Sequence, residues 1–198
     1  MTARHRPRRG ETALREILSR SVHEAAPALL GWTILLDGVG GRIVEVEAYE
    51  QTDPASHSYG GPRGRNTIMF GPPGKLYVYR SYGLHWCANV VCEPDGEGAA
   101  VLLRALEPTH GLERMRERRG VEDARLLCAG PGRLTQALGI TADHNGAAVD
   151  RPPFTLLPPE ADVEVTVTTR IGITKAVEQP WRYVVSGSAW LSRAPRPA

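Results

Sequence analysis

A small set of side chains in this sequence has the residue types that act on a flat ring. The carboxylate Glu47 lies two positions before the aromatic residue Tyr49. The set also holds a loop histidine, an asparagine, an arginine and three tyrosines: His57, Asn89, Arg104, Tyr77, Tyr79 and Tyr82. A carboxylate can activate a water as a general base, and aromatic walls can hold a planar base. Together these residue types favour a slot that binds a flat base above a carboxylate.

Each of these residues also has a purely structural interpretation. A strand glutamate can face solvent, tyrosines can pack in a sheet, and a loop histidine can lie on the surface. Arg104 on an apolar strand can pair with a buried carboxylate. Taken singly, the structural interpretation is the stronger one in every case. Composition alone does not distinguish a slot from a packed core.

Several familiar catalytic signatures are missing from the sequence: the nucleophile elbow, the Walker phosphate loop, the dinucleotide fingerprint and the zinc motif of metalloproteases. The motif GPG at residues 130–132 could bind a phosphate, but the turn that begins a helix explains it equally well. Cys87, Cys92 and Cys128 make an odd count, which is typical of reduced, buried thiols. A zinc site is therefore not favoured.

The length of 198 residues suffices for one sizeable core. We therefore expect a flexible basic tail over residues 1–10 and a single domain over residues 11–198. The apolar stretches fall well below the roughly 20 residues of a membrane-spanning helix, and the Arg-rich start lacks the form of a secretion signal. These features predict a cytoplasmic protein.

The net charge of +2 does not by itself indicate a nucleic-acid-binding protein. Arginines are concentrated in the tail and in residues 114–119, whereas Lys75 and Lys175 are the two lysines. A solvated helix face explains the second arginine group, so a phosphate-binding role needs other support.

Hydrophobic periodicity predicts the elements that must position these side chains. Strands are predicted over residues 32–36, 42–49, 75–82, 86–92, 98–106, 163–169 and 182–185. Helices are predicted from a capping box at residues 21–24 to about Gly31, and over residues 111–119, 122–128 and 132–138. Residues 51–74 have the composition of a long functional loop. Strands outnumber helices and many form hairpins, so we expect an α+β domain with a mainly antiparallel sheet.

The strand at residues 42–49 places the candidate carboxylate. Its period of two puts Glu45, Glu47 and Tyr49 on one face and the residues between them on the other. A carboxylate and an aromatic ring therefore share a face. Periodicity alone does not choose between the two glutamates.

Longer stretches of the sequence resemble the alkyladenine (3-methyladenine) DNA glycosylase family of the mammalian type. The similar segments keep the same order: RIVEVEAY (42–49), ASHS (55–58), RN (65–66), MF (69–70), PGKLYVY (73–79), YG (82–83), VLLRALEP (101–108), GP (130–131), Leu134, QAL (136–138), RIG (170–172) and GSAW (187–190). They cover about residues 35–190, so the resemblance is specific. It implies a curved sheet like that of the formyltransferase C-terminal domain.

The resemblance implies a hydrolytic reaction on DNA. Glu47 matches the general base that deprotonates the attacking water, and Arg104 and the backbone carbonyl of Ile171 match groups that position this water. Attack by water requires no cofactor or metal. Since neither Lys75 nor Lys175 matches a site position, a monofunctional enzyme is expected.

The resemblance also implies how the base is held. Tyr49, His57 and Tyr79 match the walls between which a flipped base stacks. Asn89 matches the residue whose bulk excludes the exocyclic amine of guanine.

Other matching residues are implied to contact the duplex. Tyr82 matches the side chain that fills the vacated place in the DNA, with Leu84 and His85 beside it near the minor groove. Arg65 and Gly172 match positions near backbone phosphates. Two departures affect substrate preference and grip on DNA: the loop from His57 to Tyr77 is one residue shorter, and His85 and Trp86 replace other aromatics.

The expected protein is thus a monomeric, monofunctional DNA glycosylase with damaged duplex DNA as its partner. The implied substrates are 3-methyladenine, 7-methylguanine, hypoxanthine and ethenoadenine. Two alternatives stay open: a nucleic-acid-binding module that stacks bases on aromatic residues, and a hydrolase of free nucleosides. A binding module has no need of Glu47, and a nucleoside hydrolase has no need of Tyr82.

Overall fold

The computed structural model describes residues 9–195. Residues 1–8, most of the predicted basic tail, lie outside the described residues. The helices are α1 (Arg9–Leu18), α2 (Val22–Ala28), α3 (Leu112–Arg119), α4 (Ala124–Leu127) and α5 (Pro131–Leu138), with 3₁₀ helices at Gly64–Phe70 and Ala142–His144. The strands are β1 (Thr33–Leu36), β2 (Val39–Tyr49), β3 (Leu76–Ser81), β4 (His85–Val91), β5 (Ala100–His110), β6 (Phe154–Leu157), β7 (Val165–Thr168) and β8 (Arg182–Val185).

The strands form one curled antiparallel sheet. Its main path runs β3-β4-β5-β2-β1-β6, and β8 pairs with β2 and with β7. Helices and loops surround this sheet, so the predicted α+β class with a mainly antiparallel curved sheet is confirmed. No helix within residues 9–195 has both the length and the apolarity to cross a membrane.

Strand β2 is the centre of the sheet. One edge pairs with β5, while the other pairs first with β1 and then, at residues 45–47, with β8. The register against β5 shifts on both sides of Glu45. Such irregularities are typical of β-bulges, and on the opposite edge β8 pairs with the segment that holds both glutamates.

Strand β2 begins at Val39, three residues before the predicted start at residue 42. Asp37 and Gly38 both have positive φ, and they make the tight turn that an Asp-Gly pair allows. Gly40 and Gly41 belong to the strand. A β-carbon on either would lie 1.9 Å from a carbonyl oxygen of a neighbouring strand. These two positions are therefore glycine because adjacent backbones approach closely.

The sequence prediction missed one α-helix and one strand. Helix α1 packs Leu14 and Leu18 into the core, and β6 pairs with β1. The predicted capping box of α2 was wrong in detail, because the Ser21 hydroxyl bonds to the Glu24 side chain at 2.7 Å instead of to the backbone. The three cysteines are buried free thiols, as predicted.

Candidate active site

A cleft of about 600 Å³ brings most of the predicted site residues together. It lies between the end of β2, the β3–β4 hairpin, the start of α5 and the loop after Arg170. The predicted residues on its walls are Tyr49, His57, Arg65, Tyr79, Tyr82, His85, Asn89, Arg104, Ile171 and Gly172. Among the described residues, the predicted Glu47 and Leu84 are not on these walls.

Glu47 is fully buried directly behind the cleft wall. One carboxylate oxygen accepts a hydrogen bond from the Ile171 backbone N–H at 2.7 Å. The other accepts from the Tyr49 hydroxyl at 2.9 Å and from Arg104 Nη1 at 3.2 Å. All three donors belong to residues that line the cleft. The carboxylate therefore lies directly behind the cleft wall, held by residues that line it.

Burial dominates the electrostatics of Glu47. Desolvation raises the pKa of its carboxyl group above the ordinary value, and this effect outweighs the opposing effects of Arg104 and of the two hydrogen bonds from Ile171 and Tyr49. Such a carboxylate binds a proton more readily than an exposed glutamate does.

Arg104 connects Glu47 to the rest of the site. Its Nη1 also donates to the Ile171 carbonyl at 3.4 Å, the group predicted to position a water. Its Nε donates to Glu45 Oε1 at 3.0 Å. The guanidinium thus lies between two buried carboxylates.

The structure distinguishes the two glutamates that periodicity left equivalent. Oε1 of Glu45 also accepts from Arg182 Nε at 2.8 Å and from the Ser192 hydroxyl at 2.7 Å, while Oε2 accepts from the Ser192 N–H at 2.6 Å. Burial raises the pKa of Glu45, but Arg104, Arg182 and the Ser192 hydrogen bonds outweigh it, and the net pKa is lowered. Glu45 is thus a fixed anion enclosed by cations, whereas Glu47 has an elevated proton affinity beside the cleft.

Aromatic rings of β3 and of the preceding loop form one side of the cleft. The rings of His57 and Tyr79 lie 4.3 Å apart between centroids, and Tyr77 stacks on Tyr79 at 5.5 Å. His57 Nδ1 lies 3.0 Å from the Tyr77 hydroxyl. His57 is exposed at the mouth of the cleft, yet partial burial of its ring, followed by the charge of Arg65, lowers its pKa. The imidazole is therefore biased toward its neutral form.

Tyr77 also belongs to this aromatic wall, although the family resemblance gave it no role. Its side chain is buried, and its hydroxyl fixes His57. Asn89 donates from Nδ2 to the Tyr77 carbonyl at 3.1 Å, which holds the amide on the cleft wall. Tyr77 and Tyr79 share a face by the period of two, and this signal could have identified it.

The β3–β4 hairpin ends in an exposed apolar tip. Tyr82 is 87% exposed and Leu84 is 71% exposed. Tyr82 and Gly83 both have positive φ, and the Leu84 N–H closes the turn onto the Ser81 carbonyl at 2.9 Å. A bulky residue rarely adopts positive φ, and such strain is concentrated at functional sites.

The remaining predicted DNA contacts surround the cleft. Arg65, His85 and Gly172 are exposed on its rim. A β-carbon at Gly132, the second residue of α5, would lie 2.8 Å from the His85 Cβ. Glycine at this position therefore lets the helix start approach the hairpin.

Two arginines of α3 form hydrogen bonds to the backbone of neighbouring helices. Arg118 donates to the carbonyls of Ala137 and Leu138 at the end of α5, and Arg119 donates to the Leu127 carbonyl. These contacts tie α3 to its neighbouring helices. Arg114 and Arg118 are also exposed, so the expected solvated helix face is present, and part of it contacts the neighbouring helices.

Three residues at or behind the cleft wall were given no role by the sequence analysis. Arg170 and Asp53 form a fully buried ion pair behind Tyr49. Lys175, which matches no site position of the resembling family, lies on the cleft wall. The loop that carries Ile171 continues along the cleft and brings this lysine with it.

Most of the chain is similar to known proteins. The family model described as methylpurine-DNA glycosylase matches residues 16–189. A relative from Bradyrhizobium diazoefficiens, named as an inferred 3-methyladenine DNA glycosylase, is 60% identical over 94% of each chain. Relatives of the same name from Rhodopseudomonas palustris (strain HaA2) and Nitrosospira multiformis are 58% and 57% identical. They cover 92% and 88% of this chain and 91% of their own lengths.

Proposed function

Because the chain belongs to the methylpurine-DNA glycosylase family and is a DNA glycosylase, we propose that a water activated by Glu47 performs its reaction. The enzyme extrudes an alkylated or deaminated purine from duplex DNA and hydrolyses the N-glycosidic bond, which leaves an abasic site. One observation carries this proposal: a buried carboxylate of raised proton affinity, held by three groups of the cleft wall.

The chemistry follows from the position of the carboxylate. The water oxygen forms a bond to C1′ of the deoxyribose while the bond from C1′ to the purine nitrogen breaks. The bonding electron pair leaves with the purine, and a water proton passes to Glu47. Positive charge that develops on the sugar is stabilised by the nearby carboxylate. Arg104 and the Ile171 carbonyl, 3.4 Å apart, orient the water.

The aromatic wall holds the extruded base. Tyr49 on one side and His57 and Tyr79 on the other provide stacking surfaces, and Asn89 restricts the space for an exocyclic amine. The substrates proposed are 3-methyladenine, 7-methylguanine, hypoxanthine and ethenoadenine, all flat purines that fit such a slot.

The exposed hairpin tip contacts the DNA duplex. Tyr82 enters the duplex at the place that the base leaves, with Leu84 and His85 along the minor groove and Arg65 and Gly172 near phosphates. The high exposure of Tyr82 and Leu84 supports this role, because neither side chain is needed for the core. The same tip disfavours a hydrolase of free nucleosides, and Glu47 disfavours a purely binding module.

We propose a monofunctional, monomeric enzyme even though Lys175 lies on the cleft wall. A lyase needs an amine that attacks C1′, and here the group beside the presumed water is a carboxylate held by Arg104.

Release of hypoxanthine from a duplex tests the proposal. Glu47→Gln should slow single-turnover excision by about 10²- to 10⁴-fold, the usual contribution of a general base. Glu97→Gln, at an exposed glutamate outside the cleft, should leave it unchanged. Full activity in Glu47→Gln would contradict the mechanism, and wild-type activity confined to free nucleosides would contradict the DNA substrate.

A further inference from the structure

The ring of Tyr49 has a cation behind it. The guanidinium carbon of Arg170 lies 4.6 Å from the centroid of the Tyr49 ring and 4.9 Å from that of Trp181. The Arg170 side chain is fully buried and, among the described residues, is not on the cleft wall, whereas Tyr49 is. One face of Tyr49 is therefore covered by Arg170 and the other is available to a base in the cleft.

The Asp53–Arg170 ion pair leaves the guanidinium of Arg170 free to make cation–π contacts with Tyr49 and Trp181. Asp53 pairs with both terminal nitrogens of Arg170, at 3.1 Å for Nη2. A two-pronged contact of this kind lies in the guanidinium plane. The Ala48 carbonyl also accepts from Nη1 at 3.1 Å. The acceptors thus lie along the Nη edge of the guanidinium, and Nε has no hydrogen-bond partner among the described residues. The rings of Tyr49 and Trp181 lie against the guanidinium carbon.

A cation on one face changes what the other face attracts. An aromatic ring draws cations to its face through its quadrupole, and here Arg170 already uses that attraction. A positively charged base stacked on the free face also experiences Coulomb repulsion from Arg170 through a poorly screened interior. Stacking of a neutral base on Tyr49 is affected neither by the weakened attraction for cations nor by the Coulomb repulsion.

We propose that Arg170 is a specificity-determining residue that biases the slot toward neutral damaged purines, such as hypoxanthine, over cationic ones, such as 7-methylguanine. This inference rests on the proposed function, in which Tyr49 is a stacking wall. Asp53 sets the strength of the bias, because its carboxylate offsets part of the Arg170 charge.

The test is the ratio of single-turnover excision rates for 7-methylguanine and hypoxanthine, each placed in the same duplex. The double variant Asp53→Asn/Arg170→Gln removes the cation, and the ratio should rise roughly three- to tenfold. Asp53→Asn alone leaves the cation less compensated, and the ratio should fall by a similar factor. Asp162→Asn changes an exposed carboxylate away from the cleft and should leave the ratio unchanged. Arg170→Lys keeps the charge but loses the planar two-pronged contact with Asp53, so its ratio should change less than that of the double variant.

Opposite changes in the two variants support the inference, because a merely structural role would lower both rates together. A ratio that stays constant while both rates fall would overturn it and would make Arg170 only a support for Tyr49. Thermal unfolding identifies folded variants. If the double variant does not fold, the fall expected for Asp53→Asn decides the question. Failure of the proposed function is distinguishable, since the wild type would then excise neither base.

Discussion

Arg104 Nε lies 3.0 Å from Glu45 Oε1, and this contact holds the guanidinium with its other end toward Glu47. Glu45 is in turn held by Arg182 and Ser192. The position of Arg104 at the cleft wall is therefore set by a carboxylate that does not itself line the cleft. This arrangement gives the two glutamates different surroundings.

Glu45→Gln should lower the excision rate only because Arg104 is held less firmly. The amide keeps the shape but weakens the hold on Arg104, so we expect a loss of about 10-fold, smaller than the loss in Glu47→Gln. Disruption of the buried charge cluster should also cost about 3 kcal/mol of unfolding free energy. Single-turnover rates and chemical denaturation measure both effects. An equal loss of activity in the two variants would argue for Glu45 as the base.

The excision rate should decrease at acid pH because Glu47 becomes protonated. Glu47 must be ionised to accept a proton, and burial raises its pKa, so the rate should fall as the pH decreases through a value above the ordinary range of glutamate. Glu45, whose net pKa is lowered, stays ionised across that range. The dependence of kcat/KM on pH measures this decrease. In Glu45→Gln the decrease should move to lower pH, because a neighbouring negative charge is gone.

The same ionisation affects stability in the opposite direction. A carboxyl group whose pKa is raised in the folded state adds stability below its unfolded pKa, and this stability is lost as the pH rises through the folded pKa. Wild type should therefore lose stability relative to Glu47→Gln over that window. Melting temperatures of the two proteins across the acid range provide the check, and parallel curves would contradict the raised pKa.

Tyr82→Ala should weaken capture of the extruded base more than it alters hydrolysis of a captured base. The side chain is 87% exposed, so its loss should change unfolding free energy by less than about 0.5 kcal/mol. Duplex binding and single-turnover excision at saturating enzyme separate the two steps. Tyr59→Ala, at another exposed tyrosine outside the cleft, is the matched control. Unchanged binding and excision in Tyr82→Ala would argue against the wedge.

Lys175→Gln should retain hydrolysis. If the enzyme is monofunctional, borohydride should trap no covalent complex between the protein and the abasic product in wild type or variant. Gel analysis of the trapped mixture is the measurement. A complex that forms with wild type and disappears in Lys175→Gln would instead identify a lyase.

The strand periodicity of the sequence predicted which side chains of β2 lie together at the site. The period of two placed Glu45, Glu47 and Tyr49 on one face, and their shared contacts with one another and with Arg104 agree with it. The distinction between the glutamates depends on Arg182 and Ser192, which lie 137 and 147 positions from Glu45. No local pattern carries such long-range partners.

The missed elements have physical explanations as well. The α1 sequence has apolar residues at 13, 14, 17 and 18, a helical spacing that its Arg-rich surroundings obscured. Strand β6 is four residues long and is flanked by proline pairs at 152–153 and 158–159, which favour a loop assignment. Its strand character comes from pairing with β1.

The register shifts around Glu45 make the length of β2 as important as its composition. Removal of one residue between Ile43 and Val46 would exchange the two faces of the strand beyond it, so that Val46 would meet Arg104 and Glu47 would enter the apolar core. This segment should therefore tolerate many substitutions better than any insertion or deletion. A set of single-residue deletions along the chain should show its sharpest intolerance here, while the 51–74 loop allows more change in length.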